Sequence, residues 1–155
     1  MKTTLIGVLT LVAVLTAAGS AYSHCEIPCG IYDDRVRITL LKEDITTIEK
    51  SMTQIEALSA EADKNYNQLI RWVTNKEEHA NKLMNIVTQY FMTQRIKPVD
   101  SSQAEEFSKY QSSLRLLHQM LVSAMKCKQT TDKTHTARLR QLVDRFAELY
   151  FHDQP

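Results

Sequence analysis

Residues 41–58 read Leu-Lys-Glu-Asp-Ile-Thr-Thr-Ile-Glu-Lys-Ser-Met-Thr-Gln-Ile-Glu-Ala-Leu. The apolar positions Leu41, Ile45, Ile48, Met52, Ile55 and Leu58 recur at steps of 4, 3, 4, 3 and 3. That spacing lays one apolar stripe along a helix, close to a heptad seam. Lys42, Glu43, Glu49, Lys50 and Glu56 fall off the stripe, on the face expected to meet water. The helix has no breaker near it: from Asp34 onward there is no glycine, and Pro98 and Pro155 are the only prolines. About a hundred residues without punctuation predict an all-helical domain.

Downstream, three more apolar patterns follow. The second, with Leu69, Ile70, Val73, His79, Leu83, Ile86, Val87, Tyr90 and Phe91, predicts a helix from about Glu61 to Arg95. Ser59 or Asp63 is its expected cap, the polar patch Thr74–Glu78 a place for a kink, and Pro98 its stop. The third opens on Ser102-Gln103-Ala104-Glu105, a capping-box pattern, and carries Phe107, Tyr110, Leu114, Leu117, Leu121 and Ala124 on its expected buried face. The fourth begins after Thr131 or Asp132, with Leu139, Leu142, Val143, Phe146, Leu149 and Tyr150 as its stripe. Four amphipathic helices with short connections predict an antiparallel four-helix bundle over residues 34–155.

Upstream, Met1–Ser23 has the three parts of a secretory leader. A single charge, Lys2, precedes an apolar run from Leu5, and Ala21-Tyr22-Ser23 closes it with small residues at the first and third positions. The run is short for a membrane span. Cleavage before His24 removes 23 of the 155 residues, leaves 132, and takes the formal charge from +1 to 0. A neutral chain without basic runs offers no footprint for nucleic acid and no polybasic membrane anchor. The leader implies export to a periplasm or the extracellular space; if it is a non-secretory propeptide instead, the protein is cytoplasmic.

Between leader and helices lies His24-Cys25-Glu26-Ile27-Pro28-Cys29-Gly30-Ile31-Tyr32-Asp33. Cleavage before His24 frees an amine beside the Cys25 amide and thiol. Amine, amide nitrogen and sulfur form fused chelate rings that favour a planar metal. Cys29 can turn back to supply a fourth, sulfur corner, and the His24 imidazole can approach axially. Planar nitrogen–sulfur coordination suits nickel or copper, whereas zinc prefers a tetrahedron. Pro28 and Gly30 suit a tight wrap. Tyr32 can bring a hydroxyl near the open metal face, and Asp33 can cap the first helix. A Cys25–Cys29 disulfide in an oxidising compartment is the alternative. Of three cysteines, Cys127 is then left over as a packed thiol.

The pattern His-Cys-x-x-Pro-Cys-Gly-x-Tyr-Asp resembles the nickel hook of nickel-containing superoxide dismutases. His24, Cys25, Pro28, Cys29, Gly30, Tyr32 and Asp33 match its fixed positions with unbroken spacing. The resemblance implies one nickel ion per subunit. His24 would bind it through its amine and imidazole, Cys25 through its amide and thiolate, and Cys29 through a second thiolate. It further implies that Tyr32 gates small anions, that Glu26 occupies the matching acidic position, and that subunits assemble as a homohexamer. The implied reaction is disproportionation of superoxide to oxygen and hydrogen peroxide, with nickel alternating between two and three. The family's glutamate early in helix one and arginine in helix two have no counterparts here: Arg37-Ile38-Thr39-Leu40 and His79 occupy those places. A nickel or copper carrier without turnover is the alternative function. The remaining histidines, His79, His118, His135 and His152, and the methionines after Met1 read as structural, and Trp72 as a subunit contact.

Overall fold

Asp33 starts the first helix. In the computed structural model, which describes residues 30–152, α1 spans Asp34–Ala60. The Asp33 backbone is extended, and its Oδ1 accepts from the Val36 N–H at 3.0 Å. This satisfies one of the donors that every helix start leaves open. Leu41, Ile45, Ile48 and Met52 are fully buried. Ile55 and Leu58 are half-buried, so the seam loosens toward the end of α1.

The second helix begins later than its pattern predicts. α2 spans Tyr66–Asn85, and Asn65 caps it by accepting from the Gln68 N–H at 3.2 Å. Neither Ser59 nor Asp63 serves as its cap. Residues before it are used to finish α1: the Lys64 ammonium donates to the carbonyls of Ser59 and Glu61, each at 3.1 Å. α2 runs through Thr74–Glu78 as continuous helix. Ile70 and Val73 are exposed, at 66% and 42%, although they fit the apolar spacing. After Asn85 the winding loosens into a π-helix over Ile86–Arg95, ended by the Ile96 N–H donating to the Phe91 carbonyl at 2.8 Å.

α3 spans Ala104–Gln129. The expected capping box does not form: the cap position is Gln103, with no side-chain bond. The Ser102 N–H donates instead to Asp100 Oδ1 at 2.8 Å. A carboxylate two residues upstream captures that amide in a local turn, a known competitor of helix capping. The buried face of α3 is also rotated from the expected one. Leu116, Leu117, Met120, Ala124 and Cys127 are buried, while Phe107, Tyr110, Leu114 and Leu121 are half-buried. Ser113 and Ser123 are small enough to lie in the seam, which shifts it. α4 spans Thr134–Phe151, and Asp132 Oδ1 accepts from the Thr134 N–H at 2.9 Å.

α1 packs most extensively on α2, and α3 on α4; α2–α3 and α1–α4 contacts close the ring. Short connections between such neighbours give the antiparallel four-helix bundle. No strand occurs among the described residues. The four helices of the described residues belong to one compact unit that begins at Tyr32. No helix among the described residues is long and apolar enough to cross a membrane.

Candidate functional site

The expected metal ligands His24, Cys25 and Cys29, with Glu26 and Pro28, lie outside the described residues. The last four residues of the motif are described. Gly30 has φ of 73°, in the left-handed region. No atom lies within 4 Å of where a Cβ would stand. Glycine is therefore required there by backbone conformation, with no crowding involved. Asp33 caps α1, as its position in the sequence predicts. Tyr32 opens the helical unit and is 42% exposed.

Tyr32 rests on a cluster assembled from three distant segments. The Arg95 guanidinium lies 4.3 Å from the centroid of its ring. The Tyr90 ring meets it edge-on at 5.9 Å and 71°. Arg95 in turn forms a two-pronged bond to Asp34, Nε to Oδ1 at 2.9 Å and Nη2 to Oδ2 at 2.7 Å. The Tyr90 hydroxyl donates to Asp34 Oδ1 at 2.6 Å, and the Tyr150 hydroxyl to Oδ2 at 2.9 Å. One carboxylate thus accepts four bonds, which fills its acceptor capacity. Aromatic contacts continue into the core: Tyr90 meets Phe91 at 5.1 Å, and Phe91 meets Phe146 at 5.0 Å and Tyr150 at 5.7 Å.

The π-helix makes this convergence possible. Five residues of α-helix would turn Arg95 about 140° away from Tyr90. Winding that bonds residues five apart swings them back onto one face of the helix. The same step recurs beside them, where Thr93 Oγ1 donates to the Thr88 carbonyl at 2.8 Å and Gln94 Nε2 to the Gln89 carbonyl at 2.9 Å. Tyr90 and Arg95 consequently reach the same oxygen of Asp34.

The charges respond to this packing. Burial pushes the Asp34 carboxyl up, but bonds from Arg95, Tyr90 and Tyr150 outweigh it and hold the group below its ordinary 3.8. Burial and the adjacent Asp34 anion push the Tyr90 phenol up to about 12. Arg95 is held still more firmly protonated, chiefly by its bond to Asp34. Arg37 lies 4.9 Å from the Tyr90 ring centroid, and its buried Nε has no hydrogen-bond partner among the described residues.

Other ionisable groups sit apart from this cluster. His79 Nδ1 is 2.7 Å from Asp44 Oδ1, a pair joining α1 and α2. Asp44 lies ten residues beyond Asp34 along α1, about 15 Å at helical rise. Buried Lys76 donates to the carbonyls of Lys128 at 2.6 Å and Thr130 at 3.3 Å, closing the end of α3. Cys127 is a free, fully buried thiol pushed up to about 11 by burial. It matches the packed thiol expected of it. Met52 and Met120 are core residues, whereas Met125 is exposed. Among the described residues no group of three or more His, Cys, Asp or Glu side chains could hold a metal ion.

Sequence reading missed Asp34, Arg95, Tyr90 and Tyr150 as a unit. Tyr90 and Tyr150 fit apolar stripes by their spacing, which gives no sign of their bonds to a carboxylate. The one available signal was the doubled acid Asp33-Asp34, since a single carboxylate suffices for a cap. A family model described as nickel-containing superoxide dismutase matches residues 19–154. No curated protein and no solved structure matches the chain.

Proposed function

The chain belongs to the nickel-containing superoxide dismutase family, and from that premise we propose how its own residues carry the reaction. Family membership makes it an enzyme acting on superoxide, with nickel as its cofactor. The finer reading concerns the hook. Cleavage before His24 frees the amine, and His24, Cys25 and Cys29 then hold one nickel ion. The donor set fits the metal: two thiolates, an amine, an ionisable amide and an imidazole are the nitrogen–sulfur ligands a planar ion favours. No rival cluster of ligating side chains occurs among the described residues. When bound, nickel supplies one-electron redox chemistry, alternating between two and three.

The chain supplies the rest. Tyr32, with its hydroxyl free of hydrogen bonds to the described residues and its ring held against Arg95, acts as a gate for small anions. Its position three residues after Cys29 keeps it close to the hook along the chain. Asp33, capping α1, fixes the point from which the hook departs. Glu26 is the acidic residue of the hook. Two superoxide ions and two protons leave as one oxygen and one hydrogen peroxide. The leader directs export, and the subunits assemble as a homohexamer.

The observation that carries this reading is the extent of the family match: residues 19–154 include the whole unbroken motif as well as the helices. Intact mass with metal analysis of the purified mature protein is the test. The expected result is a chain beginning at His24 with one nickel per subunit. Cys25→Ser and Cys29→Ser should each abolish both nickel retention and superoxide removal. Active protein that retains its leader, or that contains no nickel, would overturn the proposal. Light scattering on the same sample checks the hexamer.

A further inference from the structure

We propose that Arg95, clamped by Asp34, is the positioning residue for Tyr32. The inference rests on the reading of Tyr32 as the gate and extends it to the device that aims the gate.

An aromatic side chain has two torsions to fix, and Tyr32 is 42% exposed at the head of the helical unit. Solvent cannot fix them. Two contacts do: the Arg95 guanidinium at 4.3 Å and the Tyr90 edge at 5.9 Å. Arg95 is itself long and would ordinarily sample many rotamers. The two-pronged bond to Asp34 removes that freedom, because a planar fork on a carboxylate fixes the plane as well as the position of the guanidinium. Asp34 is prevented from turning by the hydroxyls of Tyr90 and Tyr150.

The order of cause runs from backbone to gate. π winding carries Arg95 onto the side of Tyr90. The fork on Asp34 sets its plane, and the guanidinium so held lies over the Tyr32 ring at 4.3 Å. Asp34 lies two residues from Tyr32, so the same short segment carries both the gate and the clamp that aims it. Arg95 needs no contact with substrate in this scheme. Lysine would retain the charge yet lose both the fork and the flat stacking surface.

The test uses the processed, nickel-loaded enzyme with fluorotyrosine incorporated. Removal of the leader takes Tyr22 away, so the five remaining tyrosines give five fluorine resonances, and Tyr32→Phe identifies the one belonging to Tyr32. Arg95→Lys and Arg95→Met should move that resonance toward its value in unfolded protein while circular dichroism stays helical. Should Arg95→Met fail to fold, Arg95→Lys serves alone, with Asp34→Asn as the second variant. Both Arg95 variants should also lower kcat/KM. In a Tyr32→Ala background that decrease should vanish to within about twofold, the usual limit of additivity. A Tyr32 resonance unmoved in every folded variant overturns the proposal, as does an undiminished loss of kcat/KM in the Tyr32→Ala background. If Tyr32→Phe and Tyr32→Ala leave catalysis intact while the resonance still moves, positioning is upheld and the gate reading fails.

Discussion

Asp34 and Asp44 are both largely buried carboxylates of α1, ten residues apart, and their surroundings drive them in opposite directions. Asp34 accepts a two-pronged bond from Arg95 and two phenol bonds, and is held below 3.8. Asp44 has the His79 ring at 2.7 Å; burial pushes its carboxyl up, and the opposing bond to His79 and the charge of Lys82 do not compensate. Burial acts on both, so the number and charge of the donors decide the outcome. A buried carboxylate can be a strong link or a concession, and distance to the nearest partner does not distinguish the two.

The largest expected effect is on Asp34. Asp34→Ala strips four bonds from one point and leaves the Arg95 charge partly buried without its counter-ion. The expected cost is about 3 kcal/mol, or roughly 10 °C in melting temperature. Asp44→Asn should cost less than about 1 kcal/mol at neutral pH, since the charge it removes is already penalised by burial. Urea unfolding of the two variants measures both. Equal costs would break the comparison.

Acid should separate the same two residues by sign. The folded value of Asp34 is lowered, so its contribution is fully present above about 3.8 and is lost as pH falls below it. Asp44 is raised, so folding favours its protonated form. Its contribution therefore weakens the protein as pH rises from 3.8 through the raised folded value. Urea midpoints measured from pH 3 to 7 should show Asp34→Asn flattening the loss at the acid end. Asp44→Asn should flatten the decline at the higher end. Profiles that shift alike would place the two carboxylates in the same class.

These contrasts mark how far the sequence could be read. The seam of α1 was legible because apolar side chains dominate it at helical steps, and Leu41, Ile45, Ile48 and Met52 are buried as spaced. The buried face of α3 departs from its apolar spacing because the seam is partly made of Ser113 and Ser123, which hydropathy assigns to water. The capping box at Ser102 failed for a local reason, the nearby carboxylate of Asp100. The hook announced itself through fixed residues at fixed steps, and Tyr32 and Asp33 stand at the head of α1. The Asp34 cluster had no such voice. Its partners lie 56, 61 and 116 residues away, and Arg95 joins them through π winding, which leaves no periodic trace in the sequence.

A smaller effect sharpens the account of Asp34. Tyr90→Phe removes a single phenol bond to a carboxylate while keeping the ring that meets Tyr32 and Phe91. It should cost about 1.5 kcal/mol, as expected for a hydrogen bond to a charged group. In an Asp34→Ala background the same change should cost close to nothing, since its acceptor is gone. A full cost in that background would mean that Tyr90 acts through packing.

The smallest expected effect tests whether distance alone carries weight. Lys42 Nζ lies 2.7 Å from Asp144 Oδ1, the same separation as Arg95 Nη2 from Asp34 Oδ2. The Lys42 and Asp144 side chains are 50% and 53% exposed, against 25% and 9% for Arg95 and Asp34. Water solvates the exposed pair almost as well apart as together, and ordering two flexible side chains offsets much of the attraction. Lys42→Met should therefore change unfolding free energy by no more than about 0.5 kcal/mol. Raising salt to about 1 M should erase that difference, because the screening length falls to about 3 Å. The cost of Asp34→Ala should persist in the same salt, since low exposure shields that pair from mobile ions. If the two variants respond alike to salt, exposure is not what separates a surface pair from the clamp that holds Arg95.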